Sequence, residues 1–545
     1  MVARFSIVLA VVGLAYAGLL FHLYQLQLTN GSTYVARAEA QYAASEVLKA
    51  ERGTIYFTDR NGNKLPAVAN KDFPLVFAVP KVLQDAPAAA QTLATILDQP
   101  AADLAKKLLK SSSTYELLAR KASDEVARRV EELNTKGIYV TAVPERFYPF
   151  GAVASHLLGF VGPDRVGLGE SGHYGVEEFY DSDLKGTSGL VKDAKVVAPQ
   201  AGKNLTLTID PNVQKEAERT LANLLQAHNA PGGSVIIEEP KTGRILAMTS
   251  SPGFDPNDYA AANIKDFLNP ATQQIYEPGS VFKLLTMAAG IDAGKITPAT
   301  TFYDSGSLTL NGRTIRNWDL KAHGTVSMTN VIELSINTGA AFAERQTGDQ
   351  TFRNYLTAFG IPEKTGIDLP GELKGDLRNL NPGARSIAFA TASYGQGVAV
   401  TPLQLVNMIA AIANGGKLMR PYVNAELEPK EVRTVIGPET ARAVTAMMVS
   451  AVDKAAIATI KGYSLAGKTG TALVPDFVHG GYTDNVIDSY VGFGPTSDPW
   501  FIVLIKLNEP VGAPHAAETV VPAFRDLAQF ILTYYNVPPD RLDPN

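Results

Sequence analysis

At 545 residues the chain is too long for one hydrophobic core, so roughly two to four domains are expected. Hydrophobic residues make up 46% and charged residues 19%, a globular balance, and a net charge of −5 without any Lys/Arg cluster argues against a nucleic-acid binder. Cysteine is absent, which excludes disulfides, thiolate catalysis and Cys-held metals together.

Phe5 to Tyr24 is twenty residues without a formal charge, and the apolar character fades through Gln25 to Leu28. A helix of that length spans a bilayer, so a transmembrane anchor is expected over 5–28. Arg4 precedes it and no basic residue follows until Arg37. Residues 1–4 therefore read as a cytoplasmic tail, with everything beyond 28 on the outer face of the cytoplasmic membrane. Ala15-Tyr16-Ala17 is a small-x-small triplet, and a cleaved signal peptide is the competing reading. Cleavage there would leave Leu19, Leu20, Phe21 and Leu23 exposed at the new terminus.

Residues 29–200 alternate strand-like and helical patches and are expected to form an extended, non-catalytic α/β pedestal. Thr54 to Phe57, the turn Asp59-Arg60-Asn61-Gly62 and Lys64 to Ala69 predict a β-hairpin, because Asn-Gly suits a turn that needs positive φ. The spacing predicts surface helices over 86–110 and 122–135. A second unit is expected over 201–535, with 536–545 as a tail. Asn204 to Ile209 alternates as a strand does, and Asp210-Pro211 starts a helix with Asp as cap and Pro at its first position. Ser234 to Glu238, Arg244 to Thr249, Ser489 to Phe493 and Trp500 to Leu507 read as strands. A closing helix over about 516–534 puts Val520, Val521, Phe524, Leu527, Ala528 and Ile531 on one face. Strands at both ends with helices between predict an α+β domain, one antiparallel sheet flanked by helices.

Three short motifs carry the chemistry. Glu277-Pro278-Gly279-Ser280 ends a loop, and a nearly all-apolar helix over Val281 to Ile291 follows. Ser280 is thus placed at a helix start, where backbone N–H groups favour developing negative charge, and its own amide can be an oxyanion donor. Lys283 lies one turn on and within reach; buried, its pKa falls toward that of a general base. Alone, the pair reads more readily as an N-cap and a lysine reaching out to solvent; beside the other motifs it does not. Ser335-Ile336-Asn337 follows after 55 residues, offering a hydroxyl to relay a proton and an amide to orient the lysine or bind a substrate amide. Lys468-Thr469-Gly470-Thr471 comes 133 residues later, in an expected strand whose edge lies beside the nucleophile. Lys468 supplies positive charge, the hydroxyls of Thr469 and Thr471 suit a carboxylate, the Thr471 amide is a second oxyanion donor, and Gly470 leaves room for a substrate. The histidines show no metal-ligand spacing and no Gly-rich phosphate loop follows a strand, so neither metal nor cofactor is expected. Asp59, Glu177 and Glu178 read as structural or solvated.

Set in that order, the motifs resemble those of penicillin-binding proteins and class A β-lactamases. Further segments resemble the class B, membrane-anchored penicillin-binding proteins. Arg52-Gly53 with Asp59 to Gly62, Gly172-His173-Tyr174-Gly175-Val176-Glu177 and Leu184-Lys185-Gly186-Thr187-Ser188-Gly189 are similar to the family's pedestal motifs. Thr365-Gly366-Ile367-Asp368-Leu369-Pro370-Gly371-Glu372, Ala392-Ser393-Tyr394-Gly395-Gln396-Gly397 with Thr401-Pro402-Leu403-Gln404-Leu405, and Val491-Gly492-Phe493 are similar to its catalytic blocks. The resemblance implies a D,D-transpeptidase that cross-links peptidoglycan stem peptides through an acyl-enzyme on Ser280, releases D-Ala and is acylated by β-lactams. It also implies work beside a polytopic SEDS-type glycan polymerase of the FtsW/RodA kind and other membrane proteins of division or elongation. With no glycosyltransferase domain in the sequence, polymerisation is not expected of this chain. Asn337 at the third position of the second motif favours the septal type over the lateral-wall type, where Asp is frequent. A β-lactamase shares the motifs, but an anchor and pedestal do not suit it. A β-lactam sensor needs several spans and a cytoplasmic effector, and a dead scaffold would be expected to have lost a motif.

Overall fold

The structure, a computed structural model, describes Gly18, Leu19, Tyr24 and residues 47–164, 169–192, 195–476, 478–513 and 515–541. The expected anchor over 5–28 lies outside the described residues except at three positions. Among the described residues no helix is long and apolar enough to cross a membrane.

The chain forms two compact units, one of residues 1–53 and 182–203, the other of 54–181 and 204–545. In the first, Val47–Leu48, Gly189–Lys192 and Lys195–Val197 form a three-stranded antiparallel sheet. The Gly53 amide donates to Leu184 O at 2.8 Å and the Gly202 amide to Glu51 O at 2.8 Å, closing this unit on itself.

The second unit opens with the expected hairpin. Ile55–Thr58 pairs with Lys64–Ala78, and Asp59 ties the turn by accepting the amides of Asn61 and Asn63 at 2.8 and 2.9 Å, with Gly62 at φ +80. The second strand runs past Ala69 to Ala78 because Ile138–Phe147, distant in sequence, pairs with it from Ala69 to Ala78. The expected helix over 86–110 is two helices, Ala86–Leu97 and Ala101–Leu108, parted where Asp98 turns left-handed at φ 53 before Pro100. Leu93, Leu104 and Leu108, with Val130 of Asp124–Glu132, pack on Val76 and Ala78. Glu177, fully buried, accepts from Arg146 at 2.7 Å, so its role here is structural.

Beyond residue 204 stands a five-stranded antiparallel sheet of β1 (Gly232–Glu239), β2 (Arg244–Ser251), β3 (Ala466–Pro475), β4 (Tyr482–Gly494) and β5 (Phe501–Asn508), in the order β2-β1-β5-β4-β3. The N-terminal segment expected as a strand is regular only over Leu205–Thr206, which pairs in parallel with Ile55–Tyr56. Asp210 then caps α1 (Pro211–Ala227), accepting the Asn212 amide at 2.9 Å. α1 and the closing helix α5 (Val520–Tyr534) cover the sheet through Val213, Leu221, Val235, Ile237, Val503, Ile505, Phe524 and Leu527. Each such large side chain contributes about 1.5–3 kcal/mol on burial. Between β2 and β3 lies the helical insertion, with α2 (Lys283–Asp292), α3 (Asn337–Thr347) and α4 (Pro402–Ala413). α2 packs on α3, and α4 on β1, β4 and β5.

Candidate active site

The residue order before Ser280 dictates a tight, well-tied turn. Tyr276 and Val400 exchange backbone hydrogen bonds of 3.0 Å each, and the Gly279 amide donates to Gly395 O at 3.2 Å. Gly279 has φ +58, and a Cβ there would meet Thr471 O and Ala472 Cβ at 3.1 Å, so only glycine lets β3 come this close. The expected helix after Ser280 begins as a 3₁₀ turn, Gly279–Phe282, before α2 takes over at Lys283. Ser280 is in that turn and Lys283 is completely buried.

Lys283 Nζ lies 3.0 Å from Ser280 Oγ, 2.6 Å from Ser335 O, 3.1 Å from Ser335 Oγ and 2.8 Å from Asn337 Oδ1. Burial, and then the charge of Lys468, hold its amine well below the usual lysine range. A neutral amine has two N–H bonds and one lone pair. Ser335 O can only accept. Asn337 Oδ1 can only accept too, since Nδ2 of that amide donates to Arg316 O at 2.9 Å. Both N–H bonds are thereby committed, and the lone pair is left for the hydroxyls of Ser280 and Ser335. In its neutral form the amine is therefore placed where either hydroxyl can donate to it.

The second motif joins two helices. Met328–Glu333 ends, Ser335 turns left-handed at φ 56, and Asn337 opens α3. A non-glycine residue in that region costs about 1–2 kcal/mol, and here it turns both the carbonyl and the hydroxyl of Ser335 to Lys283. A buried polar cluster holds the start of α3. Asn317 Oδ1 accepts the amides of Asn337 and Thr338 at 3.1 and 3.2 Å. Asp304 accepts from Thr338 Oγ1 at 2.6 Å, Asn317 Nδ2 at 2.7 Å and the His323 amide at 3.0 Å. Sequence reasoning missed Asp304 and Asn317. Nothing in their spacing signals them, because they reach the site through hairpins folded back on α3.

In the third motif, Lys468 is 4% exposed and donates to Ser335 Oγ at 3.0 Å and to Thr469 Oγ1 at 3.2 Å. Burial pulls its pKa down to about 7. Ser335 Oγ thus lies between two amines, at 3.1 and 3.0 Å, where a proton can pass either way. Thr471 differs from expectation. Its hydroxyl donates to Asp488 Oδ1 at 2.9 Å and accepts the Ala516 amide at 3.3 Å, because the antiparallel register sets Thr471 across from Asp488. Asp488, fully buried, also accepts from Thr519 at 2.8 Å, and burial pushes its carboxyl up. Gly470 also serves another contact than expected. A Cβ there would meet Ser489 Oγ at 2.5 Å and Pro278 O at 2.8 Å, so the missing side chain admits the nucleophile turn rather than a substrate. Ser280, Lys283, Ser335, Asn337, Lys468, Thr469, Gly470 and Thr471 therefore gather in one place. Among the described residues no three His, Asp or Glu side chains could hold a metal ion.

A hydroxyl beside a buried amine, with a second amine at an open strand edge, defines the class of sites suited to acyl transfer. The model of the penicillin-binding protein transpeptidase domain matches residues 233–529, and that of the penicillin-binding protein dimerisation domain matches 47–210. The chain is 35% identical to Stage V sporulation protein D of Bacillus subtilis, over 91% of this chain and 80% of that protein. It is 28% identical to peptidoglycan D,D-transpeptidase FtsI of Escherichia coli, over 99% of this chain and 93% of that one. Its fold matches penicillin-binding protein 3 of Mycobacterium tuberculosis, solved with aztreonam, at a TM-score of 0.70 and 25% identity, covering 91% of this chain and 98% of that one. The chain belongs to the class B penicillin-binding proteins and is a peptidoglycan D,D-transpeptidase. Peptidoglycan as substrate and β-lactams as ligands follow from that membership.

Proposed function

We propose that cross-linking proceeds through a serine acyl-enzyme. Ser280 Oγ attacks the carbonyl of the penultimate D-Ala of a stem pentapeptide and gives its proton to Lys283 Nζ. The amides of Ser280 and Thr471 receive the oxyanion. The proton then passes by way of Ser335 Oγ to the nitrogen of terminal D-Ala, which leaves as the C–N bond breaks. An amine of a neighbouring stem peptide attacks the ester, forms the new amide and restores the Ser280 hydroxyl. Lys468 and Thr469 hold the terminal carboxylate of the peptide or of a β-lactam; Thr471 joins them if its hydroxyl turns from Asp488. The observation that carries this reading is Lys283 Nζ at 3.0 Å from Ser280 Oγ, with acceptors Ser335 O and Asn337 Oδ1 beside it to take the N–H bonds of a neutral amine. Intact-protein mass spectrometry after penicillin should show one stable adduct, absent in Ser280→Ala; rapid loss of the adduct would favour a β-lactamase.

The hydropathy of 5–28 supports a single-pass anchor, with the tail inside and the catalytic part on the outer face of the cytoplasmic membrane. The family's partnership with a SEDS-type glycan polymerase is extended to this chain on that placement. Asn337 supports a septal role over the lateral-wall alternative. Depletion in the source cell should then give filaments; rounded cells would assign the protein to elongation.

A further inference from the structure

Glu277, three residues before Ser280, has no part in the steps above. Its carboxylate is largely buried, and burial pushes its pKa up. Among the described residues no Lys or Arg pairs with it. Oε1 accepts the Gly397 amide at 3.0 Å and Oε2 accepts the Tyr482 hydroxyl at 3.0 Å. Tyr394, nearly buried, lies by the same carboxylate, whose charge adds to burial in keeping that phenol protonated.

These partners come from separate segments. Gly397 follows Gly395, whose carbonyl accepts the Gly279 amide. Tyr482 opens β4 and pairs with Pro475 at the far end of β3. Among the described residues no hydrogen bond runs directly between β3 and the nucleophile turn, which meet as Gly470 against Pro278 O and Gly279 against Ala472, while Lys468 of β3 reaches Lys283 only by way of Ser335 Oγ. Steric contact resists approach but does little against separation, because dispersion falls off within an ångström. A hydrogen bond to a carboxylate resists separation as well. We propose that Glu277 is a positioning residue that latches the β3–β4 hairpin, through Tyr482, to the nucleophile turn and so fixes the gap between Ser280 and the edge of β3. The inference rests on Ser280 being the acylated residue.

The test measures, for a penicillin, the dissociation constant of the initial complex and the first-order acylation rate. Tyr482→Phe, at a side chain 41% exposed, should keep the thermal midpoint and the initial complex while slowing acylation about 10- to 100-fold, the effect of a misplaced reacting group. Glu277→Ala should do the same. Glu277→Gln keeps an oxygen for Gly397 and an N–H for the Tyr482 oxygen, and should stay within about threefold of wild type. Acylation at the wild-type rate in Tyr482→Phe would overturn the latch. So would a Glu277→Gln as slow as Glu277→Ala, which would mean that charge rather than position is needed. Slowing accompanied by a fall in thermal midpoint would make the contact merely structural and overturn the latch. Wild-type protein that takes no label on Ser280 would instead overturn the acyl-enzyme reading beneath it.

Discussion

The two edges of the central sheet are treated in opposite ways. Along β2 the edge is closed by groups that imitate a neighbouring strand. The Asp210 amide donates to Leu246 O at 3.0 Å. Next to it Gln214, fully buried, accepts the Met248 amide at 2.9 Å and donates to Met248 O at 3.0 Å, its second N–H going to Glu218 at 2.8 Å. One side-chain amide thus stands in for a peptide unit, with both of its N–H bonds and its oxygen engaged. Along β3 no such closure occurs among the described residues: it ends the sheet, and no backbone hydrogen bond reaches it from the far side. An unpaired edge invites association with other chains. Here it lies beside Ser280, where an extended peptide can pair with it as an added strand. Stability is therefore concentrated at one edge and chemistry at the other, and substitutions should separate the two.

The largest effect is expected on the open side. Lys283→Ala removes the proposed base, and acylation by penicillin should slow by at least about 10²-fold. The circular dichroism spectrum should stay that of the wild type. A rate within about threefold of wild type would remove Lys283 from the mechanism. Next, Lys468→Ala should slow acylation by a β-lactam with a free carboxylate about 10- to 100-fold, as for loss of one charge-assisted hydrogen bond. An esterified analogue should suffer far less. Equal losses for acid and ester would mean that Lys468 acts on Ser280 or on folding and does not bind the carboxylate.

At the closed edge the reverse is expected. Gln214→Ala leaves the Met248 amide and carbonyl buried without partners, costing about 1–3 kcal/mol for each orphaned group. The midpoint of urea unfolding should fall while the acylation rate of the folded protein stays put. A slowed rate at unchanged stability would show that the two edges are not independent.

The same contrast governs what could be read in advance. Elements specified by their own residues were legible: the Asn61-Gly62 hairpin, the Asp210-Pro211 helix start, the apolar face of α5, and three motifs whose side chains meet within about hydrogen-bonding distance. What depended on remote pairing was not. The length of the strand Lys64–Ala78 is set by Ile138–Phe147. The engagement of Thr471 with Asp488 needs the β3–β4 register, and the use of Gly470 needs to know that Pro278 packs on it. Gln214 looks in sequence like any polar residue on a helix, and Asp304 like any hairpin carboxylate. Their meaning comes from burial, which no local pattern encodes.

The smallest effect, a shift in pH dependence, probes how the two amines of the open edge act on each other. Lys283 must be neutral to accept the Ser280 proton, so acylation should climb as pH rises through its depressed pKa. Lys468 must be charged to hold a carboxylate, and with a pKa of about 7 its contribution should fade above that value. Part of the Lys283 depression comes from the Lys468 charge, the rest from burial. Lys468→Met keeps an apolar stem of similar length and removes the charge. Protonated Lys283 then escapes a repulsion, its pKa rises, and the rising limb of the pH–rate profile should move to higher pH. The esterified β-lactam is the right probe, because its acylation does not depend on the carboxylate contact. An unmoved limb would mean that burial alone keeps Lys283 neutral. A limb moved to lower pH would contradict the sign of the coupling and overturn the claim that the Lys468 charge depresses the Lys283 pKa.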